Sequence, residues 1–228
     1  GSELDIGVRV PPTSGIDQSN VGNEIIVALE SSYPGVVLRR SEYVGPAVGQ
    51  ELTEKGGLAL LVALAVVMVY IMLRFTGKFA IGAVIALVHD ILIVVGVFAT
   101  FGMTFNLTEL AALLAVIGYS LNDTIVVSDR IRENFRAIRR QTPIEIINTS
   151  LNQTLNRTLV TSLTTLLVLV ALLIAGGEQV FGFALALTVG VVVGTYSSIF
   201  VAATTLLLLR ITSDDLTVPV KQGAEDLP

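Results

Sequence analysis

Cysteine is absent from this 228-residue chain, histidine occurs once, and only 14% of residues are charged. Without cysteine there are no disulfides and no thiol chemistry. A single histidine argues against a histidine-based metal site. The charged fraction falls well below the roughly 25% usual for a soluble domain. Net charge is -5, and the basic residues crowd one short stretch instead of forming a broad face, so a nucleic-acid partner is excluded. No nucleophile–base pair, phosphate-binding loop or metal cluster stands in the polar N-terminal segment, which excludes a soluble enzyme and implies no cofactor.

What the chain has is apolar length. Hydrophobic residues make up 53% and mean hydropathy is +0.78. They fall in long blocks, and lipid offers no partner to a bare peptide group, so the blocks are expected to be helices. Five spans are read: Gly57 to Leu73, Phe79 to Ala99, Leu107 to Val127, Leu159 to Ala175, and Val180 to Leu209. The last is longer than a crossing needs and must tilt or project.

The divisions expected are a partial α+β domain over 1–50, a bundle of five helices over 51–210 and a tail over 211–228. In the first, Ile6 to Val10 alternates as a strand does and Pro11-Pro12 stops it. Asp17 to Glu30 reads as a helix, with Val21, Ile25 and Leu29 on one face. Tyr33-Pro34-Gly35 breaks it, and Val36 to Val44 reads as a second strand. One helix and two strands are too little to bury a core, so the rest of that domain is expected elsewhere. Gly1-Ser2 is set aside as an expression remnant.

Basic residues give the orientation. Arg74, Lys78, Arg130, Arg132, Arg136, Arg139, Arg140, Arg157 and Arg210 all fall on one side if the spans alternate, and the positive-inside rule makes that side cytoplasmic. The N-terminal segment is then external and the tail internal. An external start needs a preceding helix for export, so a first helix missing from this sequence is expected. At about 130–157, Ile131, Phe135 and Ile138 form one apolar stripe. Ile144, Ile147, Leu151 and Leu155 form another after Thr142-Pro143. Two short amphipathic helices are expected there, lying on the inner membrane surface or packed on a partner's cytoplasmic face.

Asp90 is the most informative residue. It lies about 16 Å along the second span, near mid-bilayer, where a carboxylate costs roughly 2.5–3.5 kcal/mol. Such a group rests protonated and loses its proton when water or a cation reaches it. The alternatives are a proton relay and a neutral acid acting as interhelical glue. His89 points about 100° away and is the weaker candidate. Gly82 and Ala86 share the face of Asp90 and let another helix come close. On the third span, Asn122 is placed to bond across the bundle, Asp123 in a hydrated mouth, and Arg130 at the interface, where it can balance a deprotonated acid. Gly182, Ala186, Gly190, Gly194 and Ser198 repeat every four residues along the fifth span as a helix-packing ridge, read as tight contact or as a sliding surface.

Four motifs carry a resemblance: Glu42-Tyr-Val-Gly-Pro-Ala-Val-Gly49, Ala86-Leu-Val-His-Asp90, Gly118-Tyr-Ser-Leu-Asn-Asp-Thr-Ile-Val-Val-Ser-Asp-Arg-Ile-Arg-Glu-Asn134, and Thr154-Leu-Asn-Arg-Thr-Leu159. Over nearly its whole length the chain resembles the SecF family, the smaller membrane subunit of the bacterial SecDF accessory complex of protein export. The resemblance implies a membrane all-α bundle, one half of an RND-like transporter, with a periplasmic domain between a first helix and the spans seen here. It implies SecD as the other half, the SecYEG channel as partner, YajC-type and YidC-type membrane subunits nearby, and a translocating preprotein. It implies an inner-membrane, multi-pass protein, with protons driving completion of translocation after the SecA step. The family's membrane aspartate falls on Asp90, and its next polar segment on Asn122, Asp123 and the Asp129-Arg130 junction. Rival readings are a non-catalytic scaffold and a small-molecule secondary transporter.

Overall fold

The computed structural model describes Val8, Val10, residues 20–39, Ser41, residues 46–138 and 140–212, and Asp215. The chain divides into two units, Gly1–Gly56 and Gly57–Pro228. In the first, α1 spans Val21–Glu30, and the turn after it holds Gly35 at φ 101. Among the described residues no strand forms. Val36 to Arg39 carries no regular structure. Most of the strand expected at Ile6 to Val10, and the second half of the one expected at Val36 to Val44, lie outside the described residues.

The second unit is helical. It holds α2 (Pro46–Arg74) from Gly57 onward, α3 (Gly77–Thr100), α4 (Leu107–Ala137), α5 (Pro143–Ala175) and α6 (Glu178–Tyr196). A π-helical turn (Ser197–Val201) and α7 (Ala202–Leu208) follow. The last three form one rod, so among the described residues five helices are long and apolar enough to cross a membrane. Local chemistry sets their starts. Asn106 and Glu109 form a reciprocal cap on α4, and Thr142 and Glu145 do the same on α5, with Pro143 in its first turn. Gly177 turns the chain into α6 at φ 76, a conformation that favours glycine.

α4 and α5 run past the ends expected for their spans. Instead of two separate helices on a membrane surface, the 130–157 region is the far end of a helical hairpin. The expected stripes meet only in part: Ile131, Phe135 and Ile147 are buried with Ile146, Phe75, Phe79 and Leu206 in one apolar cluster, Ile138 and Leu151 pack against it, and Ile144 is exposed. Asn134 Nδ2 donates to Ser150 Oγ and to Gln153 Oε1, each at 2.8 Å, and Arg130 Nε reaches Gln153 Oε1 at 2.7 Å. With these partners the helices need no lipid to continue.

A second apolar cluster, Val94, Phe98, Ala112, Leu113 and Ala186, fills the other end. The contact of α4 with α6 runs through this cluster and on toward the first. A Cβ on Gly182 would strike the Glu109 carboxylate, one on Gly190 the Val116 side chain, and one on Gly194 would lie 3.0 Å from Ser120 Cβ. These contacts advance together along both helices, so α4 and α6 run parallel at close range. Lipid tails are as apolar as leucine, so this contact is held by packing and not by removal of apolar surface from water.

The basic end is tied by polar bonds. Arg132 donates to the Arg74 carbonyl at 3.1 Å and to Asp129 Oδ1 at 2.7 Å. Lys78 Nζ bonds Asp215 Oδ2 at 2.7 Å and the Arg210 carbonyl at 3.1 Å, joining the start of α3 to the chain beyond α7. The hydrogen bond from Lys78 holds the Asp215 carboxyl below the usual carboxylate range, assisted by the Thr212 N–H and hydroxyl.

Two outcomes follow from this packing. Gly190→Val drives a branched side chain into Val116 and is expected to cost at least about 1–3 kcal/mol. Gly118→Ala enters open space and is expected to be neutral or to gain up to about 1 kcal/mol. Unfolding midpoints in detergent separate the two. The Lys78–Asp215 tie is present above the ordinary aspartate range and is lost as pH falls through the lowered value, below about 4. Protection of the Thr212 amide, corrected for intrinsic exchange, falls in that window and is absent at every pH in Asp215→Ala.

Candidate functional site

Asp90 lies thirteen residues after Gly77 and ten before Thr100 on α3, roughly 20 and 15 Å from the two ends at 1.5 Å per residue. It is 1% exposed. Gly82, Ala83, Ala86 and Leu87 are buried on the same helix, so this face of α3 is turned into the bundle.

Three side chains meet the carboxyl. Ser120 Oγ on α4 donates to Oδ2 at 2.6 Å, and Ser197 Oγ in the π turn donates to the same oxygen at 2.8 Å. His89 Nδ1 lies 3.0 Å from Oδ1. The His89 ring stacks on Tyr196 with centroids 6.4 Å apart. A charge-assisted hydrogen bond is worth about 1.5–3 kcal/mol, so this set offsets much of the cost of a charge at that depth. The same atoms serve the neutral acid, whose hydroxyl can donate to a serine oxygen or to an unprotonated Nδ1. The carboxyl is therefore satisfied in either state, with a different bond pattern in each.

A second hydroxyl group of contacts lies beside it. Tyr119 Oη donates to Ser162 Oγ on α5 at 3.4 Å, and Ser162 Oγ lies 2.6 Å from Thr195 Oγ1 on α6. One turn along are Asp123, Thr124 and Thr158, all buried. Among the described residues Asp123 Oδ2, Thr124 Oγ1 and Thr158 Oγ1 have no hydrogen-bond partner. The charge of Arg157 on α5 acts on Asp123.

The expected site residues therefore separate. Asp90 stands inside the bundle. Asp123 is 4% exposed, which places it in the packed interior and not in a wet mouth. Asn122 is exposed on the outer side of α4, because neighbours in a helix point about 100° apart, and it does not bond across this bundle. Arg130 pairs with Glu133 Oε2 at 2.6 Å and bonds Gln153, so it is engaged between α4 and α5 and not with Asp90. Gly182, Ala186, Gly190 and Gly194 line α6, while Ser198 donates to the Thr195 carbonyl at 3.0 Å. Sequence reasoning missed Ser120, Ser197 and the influence of Arg157 on Asp123. The signal available was the pair Ser197-Ser198 inside an apolar run.

Comparison with known proteins agrees with this architecture. The family profile "Protein export membrane protein SecD/SecF, C-terminal" matches residues 25–212. The protein translocase subunit SecF of Pseudomonas aeruginosa is 49% identical over 231 aligned residues, covering 100% of this chain and 74% of that protein. That of Vibrio alginolyticus is 50% identical, covering 99% of this chain and 72% of that protein. The crystal structure of SecDF, a translocon-associated membrane protein from Thermus thermophilus, superposes with a TM-score of 0.77 at 42% identity, over 89% of this chain and 27% of that one. A SecDF structure in a super-membrane-facing form gives a TM-score of 0.73 at 38% identity, over 88% of this chain and 27% of that one. The chain thus spans about three quarters of these SecF relatives and about a quarter of the SecDF chains, and it belongs to the SecD/SecF family of protein export membrane proteins.

Proposed function

We propose that this chain is the membrane-embedded part of a SecF-type subunit that assists protein export by coupling proton movement to a change in helix packing. The observation that carries this reading is Asp90: a carboxyl at mid-span, 1% exposed, held by donors from two other helices. Gaining or losing a proton there changes which bonds join α3, α4 and the π turn. A proton crossing 100 mV releases about 2.3 kcal/mol, enough to bias packings that differ by a few kcal/mol.

In this reading a SecD-type half completes the bundle, and the pair works beside a SecYEG channel on a preprotein already moved by SecA. YajC-type and YidC-type subunits join the assembly. Arg74, Lys78, Arg132 and Arg210 face the cytoplasm of an inner-membrane protein by the positive-inside rule, and the segment around α1 is periplasmic. Asp123 is a second proton-handling candidate, supported by its burial and its unpartnered Oδ2. Arg130 holds the α4–α5 hairpin at the basic end, and Asn122 faces the neighbouring half. The role is mechanical and not enzymatic.

Asp90→Asn in the complete complex tests this. Export driven by the proton gradient is expected to drop to the level seen with the gradient collapsed, while co-purification with the partner subunit stays normal. Gradient-dependent export that persists in a normally assembled Asp90→Asn complex leaves only a scaffold role.

A further inference from the structure

Ser197 has one hydroxyl hydrogen and two acceptors within reach. One is Asp90 Oδ2 at 2.8 Å and the other is the Gly194 carbonyl at 3.2 Å. A serine hydrogen can serve only one of them at a time. Ser197 is also the first residue of the π turn, where the Ala202 N–H bonds the Ser197 carbonyl five residues back. Such turns are rare inside α-helices and recur at functional sites. α3 lies against the exit of this turn: a Cβ on Gly82 would come 3.4 Å from the Ala202 carbonyl oxygen.

The bond pattern depends on the proton at Asp90. A charged carboxylate only accepts, so Oδ2 takes hydrogens from both Ser120 and Ser197. An acid protonated on Oδ2 is a donor and needs a serine oxygen as acceptor. Ser197 then turns its own hydrogen to the Gly194 carbonyl, inside its own helix. No proton leaves the serine; its hydroxyl rotates, and the proton Asp90 gains or loses is exchanged with water.

We propose that Ser197 is a positioning residue that passes the charge state of Asp90 to the π turn, donating to Asp90 when the carboxyl is charged and to Gly194 when it is neutral. This rests on the reading of Asp90 as a group that titrates during work. The other titratable groups around it are His89 on its own helix, Tyr119 and Asp123 either side of Ser120 on α4, and Tyr196 ahead of the π turn. α7 brings none, and the part of α2 that meets the core, Leu60 to Ile71, brings only the exposed Tyr70.

The test is infrared difference spectroscopy of the complete complex in liposomes over a pH series. The carboxyl band of Asp90 is assigned by its loss in Asp90→Asn. Ser197→Ala removes a donor to the charged form, so the pH at which the band disappears is expected to rise by about one unit. Ser197→Cys keeps a weak donor in nearly the same volume and shifts it less, in the same direction. Ser198→Ala deletes the neighbouring hydroxyl, which bonds Thr195, and leaves the band in place. A Ser197→Ala titration that coincides with wild type, or an Asp90 band that is absent throughout the series, overturns the proposal. Export assays on Asp90→Asn separate the two ideas. Gradient-independent behaviour there with an unmoved Ser197→Ala titration rejects the role of Ser197 alone. A moved titration with intact gradient dependence keeps Ser197 as the reporter of Asp90 and rejects the coupling.

Discussion

One carboxyl, buried at mid-span and bonded by hydroxyls from two other elements, sets the terms for the middle of this bundle. Asp90 needs donors that hold it when charged and acceptors that hold it when neutral, and hydroxyl groups supply both. Ser120 and Ser197 come from different elements, so satisfying the acid also joins α3 to α4 and to the π turn. A lysine or arginine in their place would hold only the charged state. The choice of serine makes the site two-sided, and a two-sided site is what a gradient can work on.

The surrounding packing keeps this polar layer narrow. The apolar cluster around Phe79 and Ile131 lies toward the basic end, and the cluster around Phe98 and Leu113 lies toward the other. The close approach of α6 to α4 depends on residues without bulk, Gly190 against Val116 and Gly194 against Ser120. That approach brings the backbone of the last span to the depth of Asp90. The same contact explains why a change at the acid is felt by neighbouring helices: close-packed interiors shift between discrete arrangements and do not yield smoothly.

Much of the bundle was legible because apolar length and mid-span charge are coarse signals. The five spans could be read from hydropathy, and the burial of Asp90 from the small residues Gly82 and Ala86 on its face. Helix ends were not, because Arg130 to Arg140 reads as a separate short amphipathic helix until Ile131 and Phe135 are seen to meet Ile146 and Ile147 across the hairpin. Adjacent residues were also beyond reach. Asn122 and Asp123 differ by about 100° around α4, and only the neighbours decide that Asp123 faces in. The packing ridge read every four residues on the last span carried on to Ser198. Ser198 is buried there as well, but Ser197, three residues after Gly194, is the hydroxyl that meets Asp90. No periodicity in the sequence chooses between the two neighbours.

The central claim is that the charge of one buried acid selects between packings of the bundle. Spin labels on the outer surfaces of α3 and α6, in the complete complex, give the distance between these helices at pH values on either side of the Asp90 titration. The account predicts a distance distribution that changes with pH in the wild-type complex and is frozen in Asp90→Asn. The same pH-dependent change in both complexes would contradict it.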